Sequence, residues 1–288
     1  MARHPWRRTD EPIEVRFATK PVEIDDTGGH VRVLLEAAGA RYHENFDLVV
    51  GADGLRSGVR RLVFGPHENY MTDWDAMICA FQLREQVPSF AESDSIISAR
   101  AGRAVWVFGF ADRPPTALLT YRTEDTGGQL AGSRIEQLRA VFSDVDNPAV
   151  RHVLDSLEQT PDFLFDSVHQ VKMPRWSKGR VVLMGDAAWC PNLYSGMGAG
   201  SALRGGVELG KALGETPDDL DMALTAWESR LRPFIGRHQR VARLKQQMFV
   251  PSSRPAEALR SVVLRVGCTV RQRQSAKSRA ENGSASFR

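Results

Sequence analysis

Gly179-Arg180-Val181-Val182-Leu183-Met184-Gly185-Asp186-Ala187-Ala188 is the stretch on which the fold turns. The unbroken apolar run up to Gly185 suits a strand covered on both faces within a parallel sheet. It ends on an acid, and a carboxylate at a strand end is placed to accept hydrogen bonds from a ribose hydroxyl. Pro191 and the turn Ser195-Gly196-Met197-Gly198-Ala199-Gly200 follow, opening a helix that runs to about Leu213. Glycines there leave backbone N–H groups bare at a helix start, whose partial positive charge favours an anion or an electron-rich carbonyl. The same glycines also fit a turn that lets helices pack closely.

Upstream lies a second strand ending in an acid. Asp47–Gly51 leads into Ala52-Asp53-Gly54, where Gly54 permits a sharp turn, and Ser57 is placed to cap a helix carrying Val59 and Leu62. Alone, this corner is equally a structural strand–turn–helix junction. Before it, Ile13–Phe17 alternates apolar and polar residues as a half-buried strand does, and Val31–Glu36 follows the hairpin-type turn Asp25–Gly29. Between the acidic motifs, Met77–Leu83, Ser95–Ala99, Val105–Phe110 and Ala117–Tyr121 suggest a four-strand meander able to wall a pocket. Trp106, Phe108 and Phe110 share one face by their spacing, for packing or for an aromatic substrate. Ser133–Phe142 and Pro148–Leu157 have helical periodicity. Beyond the second motif, Leu220–Met248 reads as a long amphipathic helix kinked at Pro233, with Leu220, Leu224, Trp227, Leu231, Phe234, Ile235, His238, Val241 and Met248 on one side. Leu259–Val266 reads as a shorter helix.

The bulk numbers exclude several classes. With 42% hydrophobic and 25% charged residues, the 288-residue chain has an ordinary globular composition. Its net charge of +3 comes partly from Arg271, Arg273, Lys277, Arg279 and Arg288, read as a solvated, disordered tail; no basic stripe suits nucleic acid. Cys79, Cys190 and Cys268 lack CxxC partners and the histidines form no ligand pair, so neither metal nor disulfide is expected, and the default compartment is cytoplasmic. No segment approaches the ~18 apolar residues of a membrane span, and Met1–Asp10 lacks a signal-peptide core. His152, His169 and His238 are isolated candidates for a base, each far better suited to an ordinary core or surface role, and no catalytic residue is assigned.

The two acidic segments resemble the DG and GD motifs of the para-hydroxybenzoate hydroxylase-like family, the class A FAD-dependent monooxygenases. The likeness runs from about Ile13 to Val266 and includes Met173–Arg180 and Trp227–Phe234. It implies an α/β fold: a glutathione-reductase-like FAD-binding parallel sheet over residues 1–71 and 172–250, with an inserted antiparallel substrate sheet over 72–171. A C-terminal helix over 251–268 and the tail 269–288 would complete the chain. By that resemblance Asp53, Gly54 and Arg60, then Gly185, Asp186, Pro191, Gly196, Met197 and Gly198, lie at the cofactor. Asp186 would hold the FAD ribose, Gly196 to Gly198 would approach the isoalloxazine, and Asp53 would help organise the path of NAD(P)H. Reduced flavin concentrates negative charge near N1 and the C2 carbonyl, which the bare helix start complements. The implied activity is NAD(P)H- and O2-dependent hydroxylation of a small aromatic or polycyclic molecule.

Three departures qualify the likeness. The family opens with a βαβ unit bearing GxGxxG; here the nearest pattern, Gly196-x-Gly198-x-Gly200, follows a loop and has Ser201 in the sixth place. Such a unit takes at least ~30 residues, and about a dozen precede the first strand, so the FAD domain is expected to be incomplete. Leu193 stands where many members carry a second proline, and Ser201–Gly206 replaces a more apolar helix segment. Two alternatives stay open: a non-enzymatic remnant unable to hold FAD, and a related flavoprotein reductase.

Overall fold

A computed structural model describes residues 13–91 and 94–264. The expectations for Met1–Asp10, for Val266 and Cys268 and for the tail 269–288 lie outside the described residues. The first strands are β1 (Thr19–Asp26), β2 (Val31–Ala37), β3 (Ala40–Phe46) and β4 (Val49–Gly51), followed by helix α1 (Gly58–Val63). Next come β5 (Met71–Gln82), β6 (Ile96–Arg100), β7 (Arg103–Phe108) and β8 (Thr116–Arg122), then α2 (Thr126–Ala131), α3 (Arg134–Phe142) and α4 (Pro148–Glu158). The last are β9 (Leu164–Val171), β10 (Ser177–Lys178), β11 (Val181–Leu183), α5 (Asp186–Trp189), α6 (Gly198–Glu215) and α7 (Leu220–Phe249). The chain divides into two compact units, Met1–Trp74 with Val168–Arg243, and Asp75–Ser167 with Leu244–Arg288.

In the first unit, β11 lies between β4, which it pairs in parallel, and β10, which it pairs antiparallel. The parallel sheet expected from the apolar runs is therefore one parallel pair. A separate antiparallel sheet, β1-β2-β3, stands beside it in the chain order. The hairpin at Asp25–Gly29 is present, and β3, unforeseen because Arg41, His43 and Glu44 mask its pattern, extends it. Ile13–Phe17 is no strand: Ile13 and Phe17 are almost fully exposed, and Ala18, in the left-handed region, turns the chain before β1 begins. Alternation makes a strand only where a neighbour takes up its backbone, and here Arg16 instead pairs with Glu14 and Glu44.

The core of this unit gathers Val31, Val33 and Val59 with the strand β11 and with Ala223, Leu224, Leu231 and Ile235 of α7. At its centre Trp176, Trp189 and Trp227 are in mutual contact, with ring centroids 4.5, 5.6 and 5.9 Å apart. The Trp227 indole N–H donates to the Gly205 carbonyl of α6 at 2.9 Å, so this large side chain is buried without an orphaned donor. The expected apolar side of α7 drifts: Ala242 is buried while Val241 points out, as a 3.6-residue period requires when the stripe is followed past Pro233. Several apolar side chains of this unit remain open. Val50 on β4 is 41% exposed, against the expectation of cover on both faces, and α6 carries Leu203 and Val207 outward.

Close approach rather than turning explains Gly51. A methyl there would sit 2.6 Å from a Leu183 methyl and 2.9 Å from the Val59 Cβ, so β4 could not keep its register against β11 and α1. Gly51→Ala is expected to destabilise by about 1–3 kcal/mol, the usual cost of overpacking a fixed site. A denaturant midpoint equal to the parent's would show that α1 slides away freely.

The second unit carries a five-stranded sheet ordered β6-β7-β8-β5-β9. The simple meander is corrected: β6-β7-β8 are consecutive neighbours, but β5 crosses over to pair with β8, and β9 was not anticipated. Leu138 and Phe142 of α3 and Val150, Val153 and Leu157 of α4 pack with Met77, Cys79, Leu119 and Tyr121 of the sheet. Trp106 and Phe108 do share a face, 6.1 Å apart, but the strand ends there and Phe110 lies beyond it under the Arg113 guanidinium. A helical run over 254–264 leaves Leu259, Val262, Val263 and Leu264 largely exposed. No helix among the described residues is long and apolar enough to cross a membrane, and no group of three potential metal ligands occurs among them.

Candidate functional site

Asp186 stands one turn past the strand rather than at its end. β11 stops at Leu183, Gly185 turns the chain at φ +62°, and Asp186 is the first residue of the one-turn helix α5. Gly185 is needed twice over, because a Cβ there would also press 3.2 Å from the Ala202 Cβ of α6. The Asp186 carboxylate oxygen Oδ1 is closed off from solvent and has no hydrogen-bond partner in the chain. Burial pushes its carboxyl upward in pKa, opposed by the Cys190 thiol beside it. A Cβ placed on Gly198 would lie 3.9 Å from Oδ1, so this oxygen faces the start of α6.

That helix start is bare. Met197 holds the capping position but makes no side-chain bond to the first turn, and Gly196 precedes it in the left-handed region. An acceptor without a donor therefore stands beside donors without an acceptor. Such an arrangement fits a ligand offering hydroxyl hydrogens to the acid and a carbonyl or anionic edge to the helix.

The side chains of the first motif are tied within the chain. Asp53 is exposed and caps α1, accepting from the Ser57 hydroxyl at 2.5 Å and from the Val59 N–H at 3.0 Å. Ser57 in turn accepts from the Arg60 N–H at 2.9 Å, the capping role its position predicts. Gly54 takes a left-handed φ of +82°. Arg60 has no exposed surface: its guanidinium donates to the Ala187 carbonyl at 2.7 Å and the Leu55 carbonyl at 2.6 Å, and meets His67 Nδ1 at 3.0 Å. Burial lowers its pKa, with Asp53 opposing, and burial together with the Arg60 charge lowers that of His67. The structure thus brings the two motifs together through Arg60, a strut from α1 to α5. Pro191 is buried, with its carbonyl accepting from Gln170 at 3.3 Å.

The histidines do not join this cluster. His169 lies 3.8 Å from Asp73, His238 packs edge-on against Phe234, and His152 sits on α4 in the other unit. One residue was missed by sequence reasoning. Asn192 is 4% exposed, has φ +73°, and has no hydrogen-bond partner for either amide atom. Its only signal was a polar residue between Pro191 and Leu193, where a turn would be assumed.

Residues 6–219 match the family model described as FAD binding domain. This chain belongs to the class A FAD-dependent monooxygenase family. FAD is the cofactor of that family. Among relatives of this family member, an uncharacterized protein of Mycobacterium tuberculosis is 34% identical over 241 residues, covering 80% of this chain and 61% of that protein. The FAD-dependent monooxygenase asL6 of Sarocladium schorii is 30% identical over 260 residues, covering 86% of this chain and 60% of asL6. The family member therefore spans about three fifths of the length of these curated relatives. Among solved structures, the tetracycline destructase Tet(51) superposes with a TM-score of 0.68 at 25% identity, covering 86% of this chain and 66% of that one.

Proposed function

We propose that this chain carries the flavin-facing part and the substrate sheet of a monooxygenase that hydroxylates an aromatic or polycyclic molecule with NAD(P)H and O2. The observation that carries this reading is the partnerless buried Asp186 Oδ1 facing the bare start of α6. When bound, FAD supplies the redox chemistry, accepting electrons from the nicotinamide and delivering them to O2. Asp186 would accept hydrogen bonds from a ribose hydroxyl of FAD, and Gly196–Gly198 would offer backbone N–H groups to the negatively charged edge of the reduced ring. Arg60 would keep α5, and Asp186 with it, at a fixed distance from α1. Names of similar proteins support the substrate class: a tetracycline destructase and an anhydrotetracycline hydroxylase both concern polycyclic rings.

No GxGxxG occurs within these 288 residues, so the pyrophosphate-binding helix start of the family is not supplied by them. FAD is accordingly expected to bind weakly to this chain alone, and tightly once a relative's first βαβ unit is co-expressed. Titration with FAD, followed by nicotinamide oxidation on addition of polycyclic phenols, tests both steps. Stoichiometric yellow flavin retained by the chain alone would overturn the weak-binding expectation. Failure to bind FAD even with the unit supplied would instead favour a scaffold that has lost its cofactor.

A further inference from the structure

Asn192 carries a cost that the fold does not explain. It occupies φ +73° and ψ 170°, a region that glycine enters freely and other residues reach only under strain. Its side chain makes no bond in return, since both Nδ2 and Oδ1 are enclosed and partnerless, where more than nine in ten such groups are normally satisfied. The backbone around it is well tied: its carbonyl accepts from the Ser195 hydroxyl at 2.9 Å and the Ser195 N–H at 3.3 Å. Asn192 lies in the turn between α5, which opens on Asp186, and the start of α6.

These groups differ in what they can bind. The Asp186 carboxylate only accepts, and the α6 start only donates. A carboxamide does both, side by side, and pairs two-point with another cis amide. The flavin pyrimidine ring presents such an edge, an N–H next to a carbonyl. We propose that Asn192 reads that lactam edge of the isoalloxazine, with Nδ2 donating to a ring carbonyl and Oδ1 accepting from the ring N–H. The inference rests on the reading of Asp186 and the α6 start as the flavin site.

The test uses Asn192→Gly in this chain co-expressed with a βαβ unit, with FAD and riboflavin as probes and three readouts: the thermal midpoint without flavin, the dissociation constants, and the absorbance spectrum of bound flavin. Glycine relieves the backbone, so the midpoint should rise. Loss of the paired hydrogen bonds should weaken FAD and riboflavin alike by about tenfold or more, with a shifted flavin absorbance band. Asn192→Asp, which keeps the acceptor and loses the donor, should weaken both as well. A raised midpoint with unchanged dissociation constants would overturn the role of Asn192 while leaving the site intact. A lowered midpoint with unchanged affinity would mark the amide as a structural group pairing with enclosed water, and also overturn it. Weakening of FAD alone would place the amide away from the ring and overturn it. If the parent chain, co-expressed with a βαβ unit, binds neither probe at millimolar concentration, the flavin site itself fails, and the inference with it.

Discussion

Arg60→Leu is expected to lower the stability of this chain by about 2–6 kcal/mol, a large part of the ~5–15 kcal/mol typical of a domain. The leucine can fill much of the space but cannot donate. The buried Ala187 carbonyl and the half-buried Leu55 carbonyl, bonded by the guanidinium at 2.7 and 2.6 Å, would be left without their donor. Leaving such a group unsatisfied costs ~1–3 kcal/mol each. Part of the loss is offset, because a guanidinium with no exposed surface is itself expensive to bury. Arg60→Lys should recover little, since one ammonium cannot span both carbonyls and His67 in the planar fork that Arg60 uses. Urea unfolding of the parent and both variants measures this. Equal midpoints for Arg60→Leu and the parent would show that the strut is dispensable.

Asp186→Ala is expected to act on the ligand, not on the fold. With no partner in the chain for Oδ1, removal of the carboxylate breaks few internal bonds and relieves a charge held against burial. The denaturant midpoint should stay near the parent's or rise. FAD affinity should fall by about 1.5–3 kcal/mol, the worth of a hydrogen bond to a charged group, or roughly 10- to 150-fold. Fluorescence titration of FAD into the chain co-expressed with a βαβ unit supplies the number. An unchanged dissociation constant would remove Asp186 from the site. Opposite signs in stability and affinity are what separate a ligand-facing acid from a structural one.

Much of this was legible in residue order alone, for physical reasons. Apolar runs ended by acid and glycine mark β4 and β11 because sheets bury such runs and only glycine tolerates the turns and contacts that follow. The capping role of Ser57 and the span of α6 were readable in the same way. What was not legible depends on partners far apart in the chain. The bond from Arg60 to the Ala187 carbonyl, 127 residues away, left no trace in residue order. Ile13–Phe17 alternated correctly but found no neighbour to pair with, and β5 chose β8 over β6. Asn192 read only as a polar residue in an assumed turn, since strain and an orphaned amide exist only once the loop is folded.

The packed indoles of Trp176, Trp189 and Trp227 also have an optical consequence. Transition dipoles held within 6 Å at fixed tilts couple strongly, so this unit should carry an exciton signature in near-ultraviolet circular dichroism. Trp106 belongs to the other unit and stacks on Phe249 and Phe108, outside that cluster. The coupled signal therefore reports on the unit that holds the three indoles. Melting of the unit that carries Asp186 can be followed without any added label, and energy passing from its indoles to a bound flavin would reveal occupancy as quenched emission.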